Sequence, residues 1–188
     1  MLTVNKLLPA ARGLAPALVQ RAATVSLDWD TRSKSRFDAH DSAGRHIAVF
    51  LPRGTVLRGG DMLVAEDGAM IRVQAAPQPV LQVRACPAHG TATDLPRAAY
   101  HLGNRHVQLE VQADCLQFEP DPVLADMLRR MHLIVTEAQA PFEPEAGAYG
   151  EGGGHGAHGH SHSHSHGHDH AHTHDDDHAH GHDHSHGH

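Results

Sequence analysis

Apolar positions in the first 75 residues recur near every second place, in short runs. Residues 26–30, Arg36–His40 and His46–Phe50 follow this alternation, which predicts strands with one buried face. Leu51-Pro52-Arg53-Gly54 reads as a turn. Met62–Ala65 and residues 70–73 flank Glu66-Asp67-Gly68-Ala69, and Asp-Gly between apolar runs is a hairpin signal. Many short strands and few helix signals predict a small, two-sheeted β domain over residues 1–75.

From residue 76 the period changes. Pro77 and Pro79 mark a linker, and residues 80–84 alternate as a strand. Asp94 can cap a helix whose apolar positions are Leu95, Ala98, Ala99 and Leu102, with Gly103 as its end. Residues 107–111 and 115–118 read as a strand pair. A second helix spans about 121–131, with Val123, Leu124, Met127, Leu128 and Met131 on one face, and residues 133–136 form a last strand. The order β-α-β-β-α-β is that of the ferredoxin-like fold, here over residues 76–145. The whole is therefore expected to be α+β.

Residues 146–188 carry no such pattern. Beyond residue 150 the only apolar side chains are Ala157, Ala171 and Ala179, and there is no Lys or Arg. A segment with nothing to bury cannot offset its ordering entropy, so disorder is expected there without a ligand. Six acids (Glu151, Asp169, Asp175, Asp176, Asp177 and Asp183) account for most of the formal charge of -7, and all 15 Lys and Arg precede residue 131.

Histidine alters the picture most, with 22 in 188 residues. Sixteen occupy the tail: His155, His158, His160, His162, His164, His166, His168, His170, His172, His174, His178, His180, His182, His184, His186 and His188. His-x-His spacing among small residues makes a flexible polydentate chelator, because neutral imidazole binds nickel, copper, zinc or cobalt. At about four imidazoles per ion the tail could hold ~4 ions. The irregular alternation is unlike a homopolymeric purification tag.

Six histidines precede the tail. His40 and His46 fall in expected strands without special signal, and His132 sits at a helix end, where it suits the dipole. Cys86-Pro87-Ala88-His89 is one C-x-x-H pair without a second to complete a zinc motif. His101 and His106 are five residues apart, about 140° of helical rotation, so their rings should not converge. We expect His101 inward, hydrogen-bonded and structural, and His106 beyond the helix end at the start of a strand, facing out.

Several classes are excluded or disfavoured. A binder of phosphates would show a basic face, so nucleic acid is not an expected partner. No apolar run approaches the roughly 20 residues of a membrane span. Pro9, Arg12, Gly13 and Pro16 interrupt the apolar start, unlike a signal peptide. Two cysteines make no disulfide framework and fit a reducing cytoplasm. No P-loop, H-E-x-x-H, C-x-x-C or G-x-S-x-G motif occurs, so no enzyme is expected; the G-x-G-x-x-G string at residues 154–159 lies in the tail with no preceding strand.

Longer strings carry a resemblance. Ser33-Lys34-Ser35-Arg36-Phe37, Phe50-Leu51-Pro52-Arg53-Gly54-Thr55-Val56-Leu57, Val64-Ala65-Glu66-Asp67-Gly68, Ala98-Ala99-Tyr100-His101-Leu102-Gly103-Asn104-Arg105-His106, Val123-Leu124-Ala125-Asp126-Met127-Leu128 and Phe142-Glu143-Pro144-Glu145 resemble the urease accessory protein UreE family of nickel metallochaperones. The resemblance spans essentially the whole chain. It implies a β domain of peptide-binding type, a ferredoxin-like metal domain, a homodimer, and nickel passed to the urease accessory GTPase UreG and the urease apoprotein complex. It implies that His106 binds metal together with its symmetry mate, and that His101 is used within the fold. The chain departs from some relatives at Phe118-Glu119-Pro120-Asp121-Pro122, where further histidine ligands are absent. Two His106 rings then leave a nickel ion short of ligands, which tail histidines or water would supply. The rival reading is a histidine-rich nickel, copper or zinc store without a dedicated client.

Overall fold

The computed structural model describes residues 1–146. Its first half contains β1 (Leu2–Leu8), α1 (Pro16–Arg21), β2 (Ala23–Leu27), α2 (Trp29–Arg32), β3 (Arg36–His40), β4 (His46–Phe50), β5 (Met62–Ala65) and β6 (Met70–Ala75). The strands form one six-stranded sheet in the order β2-β6-β5-β1-β4-β3, not the two sheets expected. The reason is β1, which the interrupted apolar start concealed. It pairs in parallel with β4 and antiparallel with β5, so it joins the β3-β4 hairpin to the β5-β6 hairpin. Val4, Val25, Ile47, Val49, Leu57, Leu63, Ile71 and Val73 fill the core on that sheet.

The run expected as a strand at residues 26–30 is split. β2 ends at Leu27, and the Asp28 side chain accepts the Thr31 N–H at 2.9 Å, capping α2. An aspartate with a free carboxylate two or three residues ahead of an amide competes with strand pairing and starts a helix instead.

The second half contains β7 (Pro77–Arg84), α3 (Asp94–Gly103), β8 (Glu110–Val111), β9 (Leu116–Phe118), α4 (Pro122–Arg130) and β10 (Ile134–Pro141). Their sheet has the order β10-β7-β9-β8, with every pairing antiparallel. Pro77 and Pro79 lie within β7 rather than in a linker. β9 covers only Leu81–Val83, so both prolines sit where one side of β7 has no strand partner and no N–H is required. Leu81 and Val83 share one face with Leu116 and Phe118, and Ala98, Leu102, Ala125 and Leu128 from the two helices cover it. Asp121 caps α4, its Oδ1 accepting the N–H groups of Val123 and Leu124 at 2.8 and 2.9 Å.

A buried guanidinium ties the chain beyond β10 to the first half. Arg32 is fully buried. It donates to the carbonyl oxygens of Leu27, Leu57 and Phe142, and to Glu143 Oε1 at 3.0 Å. Glu143 Oε1 also accepts the Gly59 N–H at 2.8 Å, and Arg58 donates to Pro144 O at 2.6 Å. Trp29 meets Phe142 edge-on at 6.1 Å, with the Arg32 and Arg58 guanidinium groups 5.3 and 5.0 Å from its ring.

Candidate metal centre

Helix α3 is built to end in a particular way. Its first turn is prepared by Asp94, whose carboxylate accepts the Thr91 N–H and hydroxyl at 2.8 and 2.7 Å. Both bonds hold the Asp94 carboxyl below its ordinary pKa, the backbone one most. Gly103 is the last helical residue, as expected from its place after the apolar run. The chain turns three residues later. The His106 N–H bonds Gly103 O at 2.9 Å and the Val107 N–H bonds Leu102 O at 3.3 Å. This is the Schellman arrangement, whose left-handed position glycine usually occupies. Here it is His106, with φ +56°. Left-handed backbone costs a side-chain-bearing residue about 1–2 kcal/mol, and such strain concentrates at functional positions.

His106 is exposed, as expected, but it lies in the turn; β8 starts only at Glu110. The same motif ends α4. His132 has φ +63°, its N–H bonds Arg129 O at 3.0 Å, and the Leu133 N–H bonds Leu128 O at 3.2 Å. Each helix of this sheet thus ends on an exposed left-handed histidine.

Between the helices runs an open groove of about 450 Å³ lined by His101, Arg105, Val123, Leu124, Met127, Arg130 and Met131. His101 is half-buried there, edge-on to Tyr100 at 5.4 Å, and its carbonyl accepts from Arg105. No hydrogen bond reaches its ring among the described residues. Val123, placed with the core face by spacing, is 74 % exposed, and Tyr100 is 65 % exposed. The apolar stripe of α4 is therefore wider than the buried one; that surplus, with Tyr100, was the sequence signal for this surface.

Other histidines are placed apart from His106 in the sequence of elements. His40 and His46 face each other across the β3-β4 hairpin with ring centroids 5.3 Å apart, and His46 Nε2 lies 3.1 Å from Asp38 Oδ1. Cys86 Sγ lies 3.7 Å from His89 Nδ1. The Ala88 N–H, the His89 ring and the His89 N–H hold the Cys86 thiol below its ordinary pKa, whereas burial pushes that of Cys115 up. Among the described residues no three histidine, cysteine, aspartate or glutamate side chains form a group able to hold a metal ion. The tail histidines from His155 to His188 lie outside the described residues. His106 thus stands exposed at the end of α3, outside any such group.

Comparison with known proteins gives this geometry a family. The model of the UreE urease accessory protein N-terminal domain matches residues 4–76, and that of the UreE urease accessory protein C-terminal domain matches residues 78–172. The urease accessory protein UreE of Methylibium petroleiphilum is 74 % identical over 151 residues, which cover 80 % of this chain and 70 % of the relative. That of Paracidovorax citrulli is 71 % identical over 149 residues, covering 79 % and 71 %. That of Verminephrobacter eiseniae is 67 % identical over 149 residues, covering 79 % and 89 %. With both domain models matched in order and relatives this similar, the chain belongs to the UreE urease accessory protein family.

Proposed function

We propose that this chain serves urease maturation as a nickel carrier, taking up Ni2+ and handing it on without bond-making chemistry. The observation that carries the reading is His106: an exposed imidazole held on left-handed backbone at the end of α3, with no fellow ligands of its own chain among the described residues. A two-fold contact brings the same residue of two chains together, so a ligand that is one half of a site suits a homodimer. The exposed Tyr100 and Val123 and the groove between α3 and α4 supply an apolar surface for that contact. Few protein ligands and open positions suit an ion that must leave again, in contrast to a closed four-ligand cage.

In this reading residues 1–75 are a peptide-binding domain, 76–145 a ferredoxin-like metal domain and 146–188 a metal-gathering tail. The strand order and antiparallel pairings of the second sheet support the ferredoxin-like assignment. Tail histidines complete the sphere around the paired His106 rings. The Glu145 N–H bonds Leu109 O at 2.8 Å, which ties the chain ahead of the tail to the segment that follows His106. The ion then passes to the GTPase UreG and to apo-urease in the cytoplasm. Two free cysteines fit that compartment, and among the described residues no helix is long and apolar enough to cross a membrane.

The test is calorimetric nickel titration of the full chain beside its His106→Ala form, followed by a urease activation assay. Loss of the tightest site and of activation in the variant is the expected result. An unchanged tight site would refute the reading. The rival, a store for nickel, copper or zinc without a client, is favoured only by the tail composition. Nickel-dependent co-elution with UreG separates the two.

A further inference from the structure

A second cluster of ligating atoms lies at the other end of α3. The connection from β7 to α3 folds into a one-turn loop, in which the Gly90 N–H bonds Cys86 O at 2.6 Å. Position 90 admits only glycine. A Cβ there would stand 2.4 Å from Cys86 O and 2.9 Å from Cys86 N. The turn is therefore tight at this point, and the side chains of Cys86 and His89 stand next to each other across it. The result is a thiol sulfur 3.7 Å from an imidazole nitrogen, Nδ1. His89 is exposed and Cys86 half-buried, so the pair is open to solvent.

That spacing is the bite of a chelate. A zinc-sulfur bond of about 2.3 Å and a zinc-nitrogen bond of about 2.0–2.1 Å at a tetrahedral angle place the two donors roughly 3.5 Å apart. A small rotation about the Cys86 side chain closes the difference. A thiolate joined to an imidazole prefers borderline and soft ions such as Zn2+ and Cu+, and offers little to Mg2+ or Ca2+. Helix α3 has 10 residues and so separates this loop from the turn of His106 by about 15 Å of helix axis.

We propose that Cys86 and His89 form a second metal site, a bidentate thiolate-imidazole chelate for a thiophilic cation, distinct from the histidine sites of the chain. Binding displaces the thiol proton to solvent, and the two remaining positions of the ion are filled by water or by a small external ligand. An ion held by two protein groups exchanges readily.

The histidine-rich tail would mask such a site in any simple binding isotherm, so the readout must come from sulfur. The full chain, reduced and kept free of oxygen, is titrated with Co2+ until the imidazoles are saturated. A thiolate-to-cobalt charge-transfer band in the near ultraviolet is expected, a signal that imidazole ligands do not give. The band should persist in His106→Ala, vanish in Cys86→Ser, and need roughly tenfold more cobalt in His89→Ala. Zn2+ should likewise slow alkylation of Cys86 by iodoacetamide roughly tenfold, and much less in His89→Ala. Absence of the band in the unaltered chain overturns the proposal. So does a band that His89→Ala leaves unchanged, since sulfur would then bind without its imidazole partner. Cys86 is half-buried and His89 exposed in a surface loop, so neither variant disturbs the buried interior.

Discussion

A histidine where glycine is usual implies a trade between stability and binding. His106 and His132 both occupy the left-handed C-terminal position of a helix. Glycine there removes the strain, whereas alanine keeps it. His106→Gly should therefore stabilise the fold by about 1 kcal/mol relative to His106→Ala, while both lose the tight nickel site. Denaturant unfolding of the two variants beside nickel titration measures both quantities, and equal stabilities would contradict the strain argument. His132→Gly should show the stability gain without the nickel loss. The helix end at Gly103 was legible, because glycine after an apolar-periodic run is the usual signal, but the left-handed turn was not. Only the hydrogen bonds of Val107 and His106 reveal that the turn falls three residues later.

At the scale of elements, β3, β4 and β5 were located with their observed ends: β3 alternates in burial, and the apolar runs of β4 and β5, buried on both faces, are bounded by turn residues. Local pattern failed for β1 and for the start of β7, where Pro9 and the prolines at 77 and 79 resemble linker punctuation. A strand that pairs centrally or carries proline on an unpaired side is fixed by partners distant in sequence, which a local window does not contain. Capping was legible in part: Asp121 was read inside α4 and proves to be its cap. Asp28 caps α2, and bonds from the Thr31 side chain and then the Thr31 N–H hold its carboxyl below the ordinary value. Because the folded-state pKa is depressed, the unfolded chain binds more protons on acidification. The contribution is complete above the unfolded value near ~3.9 and is lost as pH falls through the lower folded one. Asp28→Asn keeps a capping oxygen but removes the titration. Its stability should fall less steeply than that of the unaltered chain below about pH 4, as read from urea midpoints across pH.

Across the whole molecule, two features govern behaviour. The first is the histidine tail, legible from composition alone. Protons and metal compete for the same imidazole lone pair, so total nickel loading of the full chain should fall steeply between about pH 7.5 and 5.5. Equilibrium dialysis with flat loading over that window would contradict the chelator reading. The second is the Arg32 cluster, which no spacing announced because its partners are 110 and 111 residues away. Arg32→Ala removes the buried partner of Glu143 and takes the Arg32 donors from the carbonyl oxygens of Leu57 and Phe142, while Leu27 O keeps the Ala76 N–H, so a loss of about 3–5 kcal/mol is expected in unfolding measurements. That cluster also decides how the protein can be dissected. A fragment cut after residue 75 would keep Arg32 with its Leu27 and Leu57 carbonyl acceptors but surrender Phe142 and Glu143, leaving the guanidinium without its counter-ion. Peptide-capture assays on so short a piece would score misfolding as lost recognition. A fragment carried through Glu145 retains its own counter-ion and can be compared fairly with the intact chain.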